Sequence, residues 1–239
     1  MLVAAAVCPC PPLLVPEVAA GAAPELDAAR AACVDAIGVL AASRPDRLVV
    51  VGPAGPEGHG PHPQGARGSF RGFGVDLDVR LGAPEGGSEV PERELPASLA
   101  VAGWLLEHTG WSAAPVDGLG VGAPLAAERC VRVGQEVATR ADRVALLVMG
   151  DASACRTLKA PGYLDDRAAD YDAAVAAALA AADVEALKGL DEKLAHELQV
   201  AGRAPWQVLA GAAAGADLKG ALLFDDAPYG VGYLVAAWS

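Results

Sequence analysis

The sequence predicts one three-layer α/β/α domain over residues 1–239, built on a largely parallel central sheet. Three observations lead there. Leu2–Val7, Arg47–Val51 (RLVVV) and Val144–Met149 (VALLVM) are short apolar runs, the pattern of strands covered on both faces. Longer stretches with apolar residues at helical spacing separate them. No linker-like segment or internal repeat divides the chain.

The elements follow in order. Leu2–Val7 is the first strand, stopped by the proline-rich turn that begins at Cys8. Pro24–Ala42 is an amphipathic helix. Arg47–Val51 is the second strand, broken at Gly52–Pro53. Residues 52–68 (GPAGPEGHGPHPQGARG) form a long Gly/Pro/His loop, of a length that is usually functional or mobile. Ser69–Leu81 is a hairpin, residues 83–94 a polar connection, and Leu95–His108 a helix with Trp104 and Leu105 on its buried face. Leu125–Arg140 is a helix and Val144–Met149 the third buried strand. Helices fill 166–183, 184–199 and 205–214. Leu218–Phe224 and Val231–Trp238 close the sheet through DDAPYG. In such sheets chemistry sits on the loops after strand ends, and three loops qualify, those after the three buried strands.

Composition narrows the function. A hydrophobic fraction of 53% with 20% charged residues excludes a disordered chain, and the 28 glycines and 18 prolines show no three-residue period. Much of the apolar fraction is alanine and only 5% of residues are aromatic, which favours close helix–helix and helix–sheet contacts. A net charge of −12 without clustered Lys or Arg argues against nucleic acid as a direct ligand and is itself a source of solubility. The five cysteines are odd in number and irregular in spacing; Cys8–Cys10 is CxC with no second pair, so disulfide-framework, zinc-ribbon and thioredoxin readings fail. The N-terminus resembles a signal peptide but has no basic residue before Arg30, and prolines interrupt its apolar run. The expectation is a reduced, cytoplasmic, soluble protein with no membrane span. A homodimer is the default assembly.

Several constellations invite a function, each with a plainer alternative. Gly52–Gly60 and GLGVG at 118–122 lack GxGxxG and GK[ST], so a nucleotide loop is disfavoured against an ordinary loop. His59, His62 and Cys10 are a candidate soft metal site, against solvated loop histidines. His108 is a favourable cation at a helix C-terminus. Ser153 near Asp151, with His196 as base, suggests a hydrolase, but GDASAC is not GxSxG. RGSFRGF at 67–73 reads as a glycine-interrupted strand. Trp104, Trp111, Tyr163, Tyr171 and Tyr229 are rings for a planar ligand, Tyr163 and Tyr229 foremost because they fall in loops; packing is the plainer role.

Taken together, five segments resemble one family. CPCPPLLVPEV resembles the PHPPLLVPEV opening of LigB-like proteins, the class III extradiol dioxygenase catalytic-subunit superfamily. RLVVVGPAGP is similar to that family's strand and PHGP loop, and LLVMGDASACRTLKAPGYLDDRAADYDAAV to its SGDLSHRLTPDAPAGYDPRGKEFD region. GRAPWQVLAGAAAG and APYGVGYLVAAW resemble its closing segments. The resemblance covers nearly the whole chain in order. It implies a single α/β/α domain and ring opening of catechols by dioxygen at Fe(II), held by two histidines and a carboxylate, with a third histidine as acid/base.

At those positions this chain departs from the pattern. Cys10 stands at the first ligand histidine, Ala54 at the second and Ala154 at the acid/base histidine. Glu197 is the nearest candidate carboxylate, although the alignment also fits Val200 in that place. Asp151 and Ser153 are kept and are the candidate catalytic residues, Asp151 alternatively a cap. A methyl group offers no lone pair to a metal. The expectation is a divergent member without the usual iron site and with no cofactor, binding a small molecule or a protein partner. The alternative is a metal-dependent dioxygenase or other oxidoreductase whose site, for Fe(II) or another divalent metal, is rebuilt from Cys10, His59, His62 and Glu197. A hydrolase is the lesser alternative.

Overall fold

The structure, a computed structural model, describes residues 1–83 and 93–239. Its strands are β1 (Leu2–Cys8), β2 (Arg47–Ala54), β3 (Gly60–His62), β4 (Arg67–Ser69), β5 (Asp78–Arg80), β6 (Val116–Gly122), β7 (Val144–Met149), β8 (Gly220–Asp226) and β9 (Tyr233–Trp238). Its helices are α1 (Pro16–Ala19), α2 (Asp27–Ala42), α3 (Ala97–His108), α4 (Ala127–Ala138), α5 (Ala168–Ala181), α6 (Val184–Lys188), α7 (Glu192–Glu197) and α8 (Arg203–Ala212). Seven strands form the main sheet in the order β3-β6-β2-β7-β1-β9-β8, and β4 pairs with β5 apart from it. The four central strands β6, β2, β7 and β1 run parallel; β3 and β9 run against them, and β8, antiparallel to β9, runs with them.

Strand parity divides the core in two. Val49 and Val51 of β2, Leu146 and Val148 of β7, and Ala236 and Trp238 of β9 point to one face, where α4 to α8 pack. Leu48, Val50, Ala145, Leu147, Val235 and Ala237 point to the other, covered by α2 and α3. In β1 the parity changes: Leu2 joins the first face with Ala5 and Val7, because the register slips between Leu2 and Ala4. The three-layer architecture expected from the unbroken apolar runs is therefore what the chain adopts.

The small-residue composition appears as close approach. α8 lies against α4 at Gly134 and Gly211; a Cβ on Gly134 would stand 2.0 Å from the Val208 carbonyl oxygen, and one on Gly211 2.1 Å from that of Val131. Trp206 on α8 is fully buried beneath this contact.

Four expectations change. The loop drawn over 52–68 contains the end of β2, the edge strand β3 and the start of β4. Pro61 is tolerated in β3 because that strand lies at the sheet edge. GLGVG at 118–122 is not a loop: it belongs to β6, whose Gly118, Gly120 and Gly122 share one face. Added Cβ atoms there would strike Leu81 at 2.7 Å, the Gly58 carbonyl oxygen at 2.0 Å and the His59 ring at 2.7 Å, so the glycines let the segment after β2 lie directly on the strand. The helix expected over 184–199 is two helices, α6 and α7, each opened by its own cap: Asp183 accepts from Ala186 N at 3.0 Å and Asp191 from Leu194 N at 2.8 Å. The hairpin arms are Arg67–Ser69 and Asp78–Arg80, joined across Gly74 at φ +83°. Of the polar connection at 83–94, residues 84–92 lie outside the described residues.

Candidate functional site

Parallel pairing places the ends of the central strands together. Cys8 pairs with Met149, and Ala54 with Gly122, so the turns after β1, β2, β6 and β7 open on one end of the sheet. β9 runs the other way, which brings its first residue, Tyr233, to the same end. Open α/β sheets bind ligands at this end.

The centre of this end is built by two turns. The Cys10 backbone N–H donates to Asp151 Oδ1 at 2.8 Å, joining the turn after β1 to that after β7. Asp151 sits deep but keeps partial contact with solvent. Burial raises its carboxyl pKa to about 6, against the pull of the Cys10 N–H. Burial, with the neighbouring Asp151 charge, pushes the Cys10 thiol well above the usual thiol range. Tyr233 stands by Asp151, Tyr229 and Cys10, and its phenol is raised chiefly by burial. Tyr229 Oη is buried without a hydrogen-bond partner among the described residues. Glu25 lies alongside but outside hydrogen-bonding geometry, and burial together with that carboxylate raises the Tyr229 phenol.

The turn after β7 is held rigidly. Asp172 on α5 accepts from Ser153 N and Ser153 Oγ, each at 2.8 Å, and pairs with Arg156 at 3.0 Å. Ser153 and Asp172 are buried. Ala152 N donates to the Gly232 carbonyl and Gly232 N to that of Ser153, so this turn and the β8–β9 turn brace each other. Outside them lies a cleft of about 500 Å³, lined by Thr157, Leu158, Lys159, Pro228, Tyr229 and Gly230. A larger concavity, about 610 Å³, includes Met1, Leu2 and Asp142 at the opposite end of the sheet, away from these groups.

The residues singled out from the sequence separate into two groups. Cys10 and Asp151 meet, and Tyr229 lines the neighbouring cleft. His59 and His62 do not join them. His59 is exposed, with Nε2 3.0 Å from the Ala54 carbonyl oxygen and its ring over Gly122. That places it two to three strand spacings from β1, about 10–14 Å. His62 is on the edge strand β3, buried, with Nε2 2.9 Å from the Gly58 carbonyl oxygen and 3.2 Å from the Arg93 guanidinium. It is therefore not a solvated loop residue, and burial lowers its pKa, with Arg93 lowering it further. Glu197 is ion-paired with Arg167 at 2.7 Å. Among the described residues no three His, Cys, Asp or Glu side chains are grouped to hold a metal ion. Metal–nitrogen bonds of about 2 Å require such convergence, so the set Cys10, His59, His62 and Glu197 is not assembled here.

Ser153 is no candidate nucleophile in this geometry: its hydroxyl donates to Asp172, while His196 is exposed on α7. His108 ends α3 as expected and stacks on Trp104 with centroids 4.9 Å apart. Trp111 donates Nε1–H to the Ala114 carbonyl at 2.8 Å and Tyr171 is buried, both packing residues. Tyr163 is 63% exposed on the rim of the same turn. Sequence reasoning missed Tyr233, Asp172 and Arg156. Tyr233 reads as an ordinary strand residue until the antiparallel direction of β9 is known.

Fold and site together define a three-layer α/β/α protein with a cleft beside the turns at the carboxyl ends of its parallel strands. The chain is similar to the solved structure titled "Crystal structure of uncharacterized protein JW3007 from Escherichia coli K12": TM-score 0.60 at 14% identity, covering 99% of each chain. That likeness concerns the fold alone. No family model and no curated protein matches the chain. No helix among the described residues is long and apolar enough to cross a membrane.

Proposed function

We propose that this chain is a divergent LigB-like protein that binds a small molecule in the strand-end cleft and does not perform iron-dependent ring cleavage. The observation that carries the reading is the chemistry at the three positions where the resembled family has histidines. Cys10 is a single buried thiol, while Ala54 and Ala154 present methyl groups. A methyl group offers a metal no lone pair, and among the described residues Cys10 belongs to no group of three side chains able to hold an ion. Glu197, the nearest carboxylate by alignment, already neutralises Arg167. These residues do not fit an Fe(II) centre.

The cleft beside the two braced turns offers a recognition surface: the Tyr229 phenol and Thr157, with an apolar wall from Leu158 and Pro228. Such a mixture, a few convergent polar groups beside apolar walls, is the usual make-up of a small-molecule site. The test is metal stoichiometry after anaerobic loading with Fe(II) and gel filtration, on protein purified without a histidine tag. Well under one equivalent is expected. One full equivalent that disappears in Cys10→Ser overturns the reading.

A further inference from the structure

We propose that β8 is a dimerisation edge. Two copies of this chain join antiparallel along it, in a register centred on Leu222, and the two main sheets become one.

The two edges of the main sheet are unlike. β3 is three residues long and carries Pro61, features that blunt an edge. β8 is seven residues long, and its stretch Gly220–Phe224 (GALLF) carries neither charge nor proline. Leu223, within that stretch, is 40% exposed. The direction of the backbone groups follows from one neighbouring pair. Lys219 N donates to the Ser239 carbonyl at 3.0 Å, and Ser239 N to the Lys219 carbonyl at 3.1 Å. Direction alternates from there along the ladder. Ala221, Phe224 and Asp226, opposite Ala237, Val235 and Tyr233, therefore also face β9. Gly220, Leu222 and Asp225 face outward, and no group among the described residues bonds them on that side.

A second copy fits this edge because the edge complements itself. The register of β8 on β9 shifts between Leu222 and Phe224, so Leu223 is an extra residue and the two are one ladder step apart. A bulge can blunt an edge, but this one balances it. Counted in ladder steps, Ala221 and Phe224 flank Leu222 equally, as do Gly220 and Asp225, and Lys219 and Asp226. A twofold axis at Leu222 sets that residue against its own copy, and Gly220 against the partner's Asp225. These are the outward-facing positions, so they pair through about six backbone hydrogen bonds. Between them Ala221 meets the partner's Phe224, and Lys219 meets the partner's Asp226. The side-chain faces agree. Leu222 packs on the α4–α8 face and Phe224 on the α2–α3 face, which puts Lys219, Ala221, Phe224 and Asp226 on one side of the sheet. Lys219 and Asp226 are exposed and form no ion pair among the described residues. Symmetry makes the Lys219–Asp226 pair twice. A register shifted by one step opposes outward to inward groups, and one shifted by two separates Lys219 from the partner's Asp226.

The test is sedimentation velocity on the intact chain at pH 7.5, from low to high micromolar concentration. A dimer is expected for the parent. Lys219→Glu turns both ion pairs repulsive and is expected to weaken the dimer at least tenfold. Adding Asp226→Lys to Lys219→Glu sets opposite charges face to face again, and is expected to restore the affinity to within threefold of the parent. Adding Glu136→Lys instead, at an exposed position on α4, corrects the net charge alone and is expected to restore nothing. A parent that stays monomeric throughout overturns the proposal. So does a dimer indifferent to Lys219→Glu, which is joined through another surface. Failure of Asp226→Lys to rescue, or equal rescue by Glu136→Lys, overturns it as well.

Discussion

The Cys10 N–H and Asp151 Oδ1, 141 residues apart, meet at 2.8 Å where the first and last of the central parallel strands end. This one bond ties a deep carboxylate to the turn after β1, and the carboxylate is charged at neutral pH only at a cost to stability.

The cost gives a pH prediction. The folded pKa of Asp151, about 6, lies above the ordinary 3.8, so the native state holds the proton more tightly than the unfolded chain. This contribution to stability is fully present below pH 3.8 and is lost as pH rises through 6. Asp151→Asn is expected to match the parent at pH 4 and to exceed it by about 1–2 kcal/mol at pH 7.5, a figure reduced for partial exposure. Urea denaturation of both proteins from pH 4 to 7.5 measures this; a variant less stable at pH 7.5 contradicts it.

The Ser153–Asp172–Arg156 cluster is structural. Asp172→Ala leaves Arg156 without its carboxylate and two Ser153 donors unmet, and is expected to cost about 3–5 kcal/mol. Ser153→Ala is expected to cost about 1–2 kcal/mol. Chemical denaturation reads both. Hydrolysis of p-nitrophenyl acetate by the parent that Ser153→Ala abolishes would show instead that the hydroxyl is a nucleophile.

β6 tolerates nothing larger than glycine at its centre. Gly120→Ala would place a methyl 2.0 Å from the Gly58 carbonyl oxygen, and is expected to lower stability by about 2–4 kcal/mol. Gly72→Ala, with nothing within 4 Å, is expected to change it by about 0.5 kcal/mol or less. Similar losses in the two variants would remove the packing role of the β6 glycines.

The layers of the fold were legible because the runs at Leu2, Arg47 and Val144 carry apolar residues on both parities, which only a doubly covered strand requires. β6 was hidden because its glycines, chosen for close approach, carry no hydrophobic signal; β3 was hidden because its three residues include Gly60 and Pro61 and gain stability only from pairing with β6. The split of 184–199 was written in Asp183, Gly189 and Asp191, but caps compete with a helical pattern whose outcome depends on packing. Of the site, Cys10 and Asp151 could be placed after strands. That they touch, and that Tyr233 joins them, depends on strand order and direction, which local pattern does not encode. His62, read either as a metal ligand or as a solvated loop residue, is buried at a sheet edge, which depends on Gly118 and Arg93, both remote in sequence.

We propose a cleft that binds a small molecule and holds no catalytic iron. Oxygen uptake is its most direct measure: the chain, loaded anaerobically with Fe(II) and freed of excess metal, is mixed with a panel of substituted catechols in an oxygen-electrode cell. Consumption is expected to be no faster than in buffer carrying the same trace iron. Catechol-dependent uptake that saturates with substrate and is lost in Cys10→Ser would contradict it.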